Sequence, residues 1–198
     1  KSGRVTKVFA KAPFAIGAIG MLIEFVLVRR LYREDALISL ILTFALALFI
    51  EALIRVIWGS AGQPFSPPAF LSGYLEYGPM LVTRYRVAIL VSTIALLILL
   101  WAFLQYTPFG RILRAGGHDS EMVGLLGINL PRVFTGAFGL GSFLAGVAGL
   151  LAAPLWTVTP SISESAVMPA FVTVAIGGLG SYSGAIVAGL AIGLVTAL

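Results

Sequence analysis

Long apolar runs separated by short polar connections set the pattern of this chain. The runs cover residues 12–28, 36–58, 87–104 and 133–153, and a fifth run begins at Ser183 and reaches Leu198. About 20 predominantly apolar residues in a helix span the hydrocarbon core of a bilayer, which is roughly 30 Å thick. The pattern therefore predicts an all-α polytopic membrane protein with about five long transmembrane helices.

A sixth apolar segment, residues 166–180, is shorter than the others. At 1.5 Å per residue it covers about 22 Å, less than the thickness of the hydrocarbon core. Two interpretations stay open: a tilted helix that ends in a glycine-rich turn, or a short or broken membrane segment whose backbone polar groups line a substrate pathway. The second interpretation makes these residues candidates for the pathway: Thr173, Gly177, Gly178, Gly180 and Ser181.

Residues 107–132 interrupt the apolar pattern with polar and charged positions. Thr107 is a favourable N-cap and Pro108 suits the first helical position, so a short helix is predicted to begin here. Gly116-Gly117 is predicted to end it. This segment, the 107–132 loop, therefore begins with one short amphipathic helix.

A second short helix is predicted later in the 107–132 loop. Asp119 or Ser120 can cap its start, and Gly127 can close its end. Its apolar residues at helical spacing share one face: Met122, Leu125 and Leu126. Two short amphipathic helices between long apolar runs lie along a membrane surface more readily than they cross it. The loop is interpreted as the place where the protein meets a partner.

Composition agrees with a membrane protein and excludes several kinds of site. The chain has 198 residues, of which 59% are hydrophobic and 11% charged, whereas a soluble domain carries about 25% charged residues. The absence of cysteine excludes disulfides and thiolate metal sites, and a single histidine excludes a histidine-rich metal site. The basic residues lie mostly beside the apolar runs, which suits lipid headgroups and gives no basic stripe for nucleic acid.

The distribution of basic residues does not decide the orientation in the membrane. If the helices alternate, residues 29–35 and the 107–132 loop lie on one side, with three arginines each. The other side then carries six basic residues: Lys1, Arg4, Lys7, Lys11, Arg84 and Arg86. The positive-inside rule favours neither arrangement.

Two carboxylates lie within or near the predicted spans. Glu51 precedes Arg55 by four residues, which is the favourable order for a helical ion pair, and Glu24 lies close to Arg29. Carboxylates inside a membrane can relay protons or bind ions. Their positions near the ends of the spans favour pairing and snorkelling at the membrane edge.

The sequence lacks the common motifs of nucleotide-binding proteins, metalloproteases and serine hydrolases. A phosphate-binding GxxxxGK[ST] loop cannot exist because no lysine follows Lys11. The sequence also lacks HExxH, GxSxG and an acidic cluster for divalent metals. We therefore expect a protein that is not an enzyme and holds no metal or cofactor, and whose energy source is another subunit or an ion gradient.

Two motifs, one from Gly110 to Val133 and one from Ala175 to Ser181 followed by Gly184, together resemble the ABC-transporter permeases for branched-chain amino acids, in their LivH-like rather than their LivM-like branch. The segment from Gly110 to Val133 is similar to the family's cytoplasmic loop, with these matching residues: Gly110, Arg114, Ala115, Asp119, Glu121, Gly127, Ile128 and Asn129. The segment from Ala175 to Ser181, followed by Gly184, resembles the family's V-x-G-G-x-G-S-x-x-G pattern. The resemblance covers roughly residues 12–198.

The resemblance implies that residues 1–198 form a single, truncated permease domain with further spans on both sides. It also implies that the 107–132 loop is cytoplasmic and holds the coupling helix that docks on an ATP-binding cassette subunit. The coupling residues expected on this basis are Arg111, Arg114, Asp119, Glu121, Met122, Gly127 and Asn129. Further expected partners are a second, homologous permease subunit, an extracytoplasmic substrate-binding protein and the bilayer, in the plasma (inner) membrane of a prokaryote.

The leading functional hypothesis is a permease subunit of an ATP-driven importer for branched-chain amino acids. A permease for urea or short amides is the alternative within the same family. An ion-coupled secondary transporter would use Glu24 or Glu51 as its coupling group. A membrane scaffold that transports nothing is the remaining alternative.

Overall fold

The computed structural model describes residues 2–31, 36–59, 61–62, 74–77, 80–155, 158–160, 162–178 and 181–197. Within these ranges it has nine α-helices, one π-helical turn and one β-hairpin. The chain divides into two compact units, residues 1–43 with 64–157 and residues 44–63 with 158–198.

The helices follow the predicted spans closely. They are α1 (Ser2–Ile23), the π-helical turn (Glu24–Val28), α2 (Arg29–Leu31), α3 (Ala36–Trp58), α4 (Arg84–Tyr106), α5 (Pro108–His118), α6 (Ser120–Leu125), α7 (Leu130–Ala152), α8 (Ile162–Gly177) and α9 (Tyr182–Ala197). Among the described residues, four helical stretches are long and apolar enough to cross a membrane: Lys11–Val28, Ile41–Trp58, Arg84–Tyr106 and Leu130–Ala152. The fifth predicted span corresponds to α9, which has 16 residues. The prediction of a helical, multi-pass membrane protein is confirmed.

A small hairpin accompanies the helices in the first unit. Strands β1 (Tyr74–Tyr77) and β2 (Met80–Thr83) pair antiparallel, with Tyr74 opposite Thr83 and Tyr77 opposite Met80. The sequence pattern predicts only a polar connection over 59–86, and much of that connection lies outside the described residues. The β-forming residues on either side of Gly78-Pro79 are the signal that points to a hairpin.

Close packing of α1 on α7 forms the centre of the first unit. A Cβ added to Gly17 would lie 3.1 Å from Cβ of Phe143, and one added to Gly146 would lie 3.0 Å from Cδ1 of Ile16. The rings of Phe14 and Phe143 pack in a tilted arrangement, with their centroids 5.0 Å apart. Small residues let helices approach closely in lipid, where apolar burial alone does not drive their association.

Candidate functional site

The 107–132 loop begins with a helix whose start is fixed by its cap. The Oγ1 atom of Thr107 accepts a hydrogen bond from the backbone N–H of Gly110 at 3.2 Å and donates one to the carbonyl of Phe103 at 2.6 Å. Pro108 occupies the first turn of α5. One hydroxyl thus joins the end of α4 to the start of α5, and the predicted helix start is confirmed.

The predicted end of this helix is wrong, because α5 continues through Gly116-Gly117 to His118. Gly116 is buried, and a Cβ at this position would lie 2.5 Å from Cδ2 of Leu130. The glycine therefore serves the packing of α5 against α7, a tertiary requirement that local helix propensity does not reveal.

Two further caps shape the remainder of the loop. The Oδ1 atom of Asp119 accepts from the backbone N–H of Met122 at 2.9 Å and starts α6, as predicted. Gly127 has a φ of +76°, a conformation that favours glycine, and its N–H donates to the carbonyl of Gly124 at 3.0 Å. The Oδ1 atom of Asn129 accepts from the N–H of Arg132 at 3.3 Å and caps α7.

Three apolar side chains on and just after α6 are exposed on the surface of the first unit. Met122 is 60% exposed, Leu125 81% and Leu126 74%, whereas Val123 is only 6% exposed. We call Met122, Leu125 and Leu126 the apolar ridge. Their helical spacing groups them on one face, and an exposed apolar face favours contact with a protein or a membrane.

The basic residues of the loop are on its surface. Arg111 is exposed, and Arg114 is exposed while its Nη1 atom donates to Oε1 of Gln105 at 2.5 Å. The side chains of Glu121 and His118 lie outside the described part of the structure. Of the seven expected coupling residues, Asp119, Gly127 and Asn129 have clear local roles as caps or turn former.

Sequence reasoning missed the residues that hold the loop against α7. Leu130 and Val123 are each 6% exposed. A Cβ added to Gly136 would lie 3.0 Å from Cε2 of Phe109, so the start of α5 also packs on α7. Leu130 follows the Asn129 cap directly, which is the one sequence signal that places it at the base of the loop.

Helices α8 and α9 form a hairpin of short helices in the second unit. Each has 16 residues. The turn contains Gly178 at a φ of +87°, and the Oγ atom of Ser181 accepts from the N–H of Gly184 at 3.1 Å. The short segment therefore forms a helix that ends at a glycine-containing turn, which is compatible with both interpretations of it.

The candidate pathway residues cluster at and near this turn. Gly177 ends α8, Gly178 and Ser181 lie in the turn, and Gly180 lies outside the described residues. The hydroxyl of Thr173 donates to the carbonyl of Pro169 at 2.7 Å, within α8. Their contact with a substrate stays a prediction.

The two membrane carboxylates have different surroundings. Nη2 of Arg55 donates to Oε1 of Glu51 at 2.6 Å, so the predicted ion pair is confirmed. Glu24 is fully buried, and Oε2 of its carboxyl accepts a hydrogen bond from the hydroxyl of Thr135 on α7. The interpretation that Glu24 snorkels to the membrane edge is wrong, because packing of α1 on α7 encloses it.

Known proteins are similar to this chain along nearly all of its length. The family described as "Branched-chain amino acid transport system / permease component" matches residues 10–198.

The high-affinity branched-chain amino acid transport system permease protein LivH of Escherichia coli (strain K12) is 32% identical over 195 residues. The aligned region covers 96% of this chain and 63% of LivH. LivH of Salmonella typhimurium is 31% identical over 196 residues, and BraD of Pseudomonas aeruginosa, also named as a branched-chain amino acid permease, is 30% identical over 193 residues. Both alignments again cover 96% of this chain and 63% of the relative, so the chain spans about three fifths of the length of these proteins. No solved structure matches the chain.

Proposed function

Because the chain belongs to the family of branched-chain amino acid transport permeases, we propose that it is a transmembrane subunit of an ATP-driven importer for branched-chain, hydrophobic amino acids. Its spans form part of the translocation path, and the 107–132 loop docks on a separate ATP-binding cassette subunit. A second, homologous permease subunit and an extracytoplasmic substrate-binding protein complete the importer. Its location is the plasma (inner) membrane of a prokaryote.

The observation that supports the coupling role is the exposed apolar ridge on a loop whose other face packs against α7. Leu125 and Leu126 are 81% and 74% exposed, while Val123 beside them is buried. An apolar helix face fits an apolar groove on a partner, with anchor residues at helical spacing. The caps and the contacts with α7 hold the loop in a fixed conformation. A movement of the partner can therefore be transmitted to α7, whereas a flexible loop would not transmit it.

The energy comes from the partner in this proposal. Closure of the cassette subunits on ATP moves the loop, and the loop moves the start of α7. The equilibrium between inward-facing and outward-facing states shifts only if the cassette contacts the loop differently in the two states. The ridge and the surface arginines Arg111 and Arg114 supply the side chains for those contacts.

We place the substrate pathway beside the α8–α9 hairpin. Both helices are shorter than a full span requires, since 16 residues rise about 24 Å and the hydrocarbon core is roughly 30 Å thick. Interrupted helices supply backbone polar groups at membrane depth, which suits the carboxylate and ammonium of an amino acid. We propose that Thr173, Gly177, Gly178, Gly180 and Ser181 lie along the pathway.

Uptake by the assembled transporter tests this function. Proteoliposomes that hold the full-length permease, its partner permease and the cassette subunits should accumulate labelled leucine only when ATP is inside and binding protein is outside. Excess unlabelled isoleucine or valine should compete, and excess urea should not. A protonophore should leave uptake unchanged.

The same assay separates the alternatives. If urea or short amides compete and isoleucine does not, the protein is still a permease, but its substrates are urea or short amides. Uptake that needs no ATP and disappears when the ion gradient is collapsed would instead identify a secondary transporter. Vesicles that show no flux under any of these conditions would favour a scaffold.

A further inference from the structure

A buried carboxyl lies where the helix geometry of the first span changes. Glu24 is 0% exposed and begins the π-helical turn, in which the backbone N–H of Arg29 donates to the carbonyl of Glu24. A buried carboxyl is costly unless it is hydrogen-bonded, and π-helical turns within α-helices occur frequently at functional sites. A buried carboxyl and a π-helical turn at the same residue indicate that Glu24 has a role other than packing.

The hydroxyl of Thr135 connects this carboxyl to α7. Its Oγ1 atom is hydrogen-bonded to Oε2 of Glu24 and also lies 2.9 Å from the carbonyl oxygen of Pro131. A threonine hydroxyl carries one proton and can donate to one of these oxygens at a time. It is therefore shared between an internal bond of the first turns of α7 and a bond across to α1.

The same turns of α7 receive the 107–132 loop. Leu130, at the start of α7, packs against Gly116 of α5, and Phe109 packs against Gly136. Thr135 follows Leu130 by five residues, which is about 7.5 Å along the helix axis. A displacement of the loop therefore reaches the Thr135–Glu24 hydrogen bond through one short, continuous piece of helix.

We propose that Glu24 is a positioning residue that links the 107–132 loop to the first span. The hydrogen bond from Thr135 holds the π-helical turn of α1 to the loop end of α7, so that movement of the loop carries α1 with it. This inference rests on the proposed function, in which a cassette subunit moves the loop. It gives the buried carboxyl a role in coupling rather than in binding an ion or the substrate.

The test measures how many ATP molecules are hydrolysed for each leucine taken up. The full-length permease in the assembled transporter is reconstituted in proteoliposomes, with Glu24→Leu, Glu24→Gln or Thr135→Val. Glu24→Leu and Thr135→Val should raise the ratio by roughly 2- to 30-fold, with the binding protein concentration for half-maximal uptake unchanged. Glu24→Gln keeps an acceptor oxygen for Thr135 and should keep the original ratio.

A double variant sharpens the assignment. If the two residues act through one hydrogen bond, Glu24→Leu with Thr135→Val should raise the ratio no further than either single change. Thr196→Val is the matched control, because the acceptors within reach of the Thr196 hydroxyl are carbonyl oxygens of its own helix, those of Ile192 at 2.9 Å and Gly193 at 3.1 Å. Glu51→Gln controls for the loss of a membrane carboxylate.

Several results would overturn the inference. Uptake and ATP hydrolysis that fall in parallel would make the pair merely structural, and a Glu24→Gln ratio as high as that of Glu24→Leu would make the charge essential. If Glu24→Leu does not assemble, the isosteric Thr135→Val decides the same question. Absence of ATP-dependent uptake by the unmutated transporter would overturn the proposed function, and an unchanged ratio in a transporting Thr135→Val variant would overturn this inference alone.

Discussion

Replacing Leu125 with aspartate is expected to release the permease from its cassette subunit. Leu125 is 81% exposed at the centre of the apolar ridge, and in the proposed complex its side chain enters an apolar groove. A buried, unpaired carboxylate at the centre of an interface should weaken association by about 2 kcal/mol or more, which is roughly 30-fold. The measurement is the amount of cassette subunit that copurifies with a tagged permease in mild detergent.

Leu155→Asp is the matched control for this change. Leu155 is an exposed leucine, 45% accessible, that follows the other end of α7. The control variant should retain its cassette subunit in full, and both variants should insert in the membrane equally well. Undiminished copurification of Leu125→Asp would show that the ridge does not form the docking surface.

Replacing Gly184 with alanine is expected to reduce uptake at least tenfold by distorting the α8–α9 hairpin. A Cβ at Gly184 would overlap the carbonyl of Gly177, and it would lie 2.9 Å from Oγ of Ser181. Backbone cannot yield as a flexible side chain can, so the turn must open, at a cost of about 1–3 kcal/mol. Because the pathway residues are in and beside this turn, leucine uptake should fall by at least tenfold, by analogy with the cost of small misplacements in other sites.

Gly193→Ala provides the comparison within the same helix. Among the described residues, no atom outside the helix's own backbone lies within 4 Å of a Cβ built at Gly193, so this variant should transport leucine at the unmutated rate. Binding of the cassette subunit should be the same in both variants, because the 107–132 loop is unchanged. Normal uptake by Gly184→Ala at equal membrane levels would remove the hairpin from the pathway.

The elements that sequence predicts well here are those decided locally. Long apolar runs place the four spans, since hydrocarbon thickness requires that length. The cap residues Thr107 and Asp119 place the starts of α5 and α6, and the spacing of Glu51 and Arg55 predicts their ion pair. The caps and the ion pair each depend on residues within about one helical turn of one another.

The features that sequence reasoning got wrong depend on contacts between distant segments. The Gly116-Gly117 pair predicts a helix end, but α5 continues through it, and Leu130 packs on Gly116. The position of Glu24 near the end of a span favours snorkelling, but packing of α1 on α7 buries it, and it accepts a hydrogen bond from Thr135, 111 residues away. Periodicity places Met122, Leu125 and Leu126 on one face, but only the folded unit shows that this face is exposed while Val123 is buried.

Cysteine cross-linking tests the central claim, that the 107–132 loop docks on a cassette ATPase, most directly. The 198 residues contain no cysteine, so Leu125→Cys adds a single thiol to this region, and Leu155→Cys is its counterpart. A short thiol-reactive cross-linker should join Leu125→Cys to the cassette subunit in active transporter, with a yield that changes when ATP binds, and should leave Leu155→Cys unjoined. Equal yields at the two positions, or no adduct at Leu125→Cys in a transporter that imports leucine, would contradict the account.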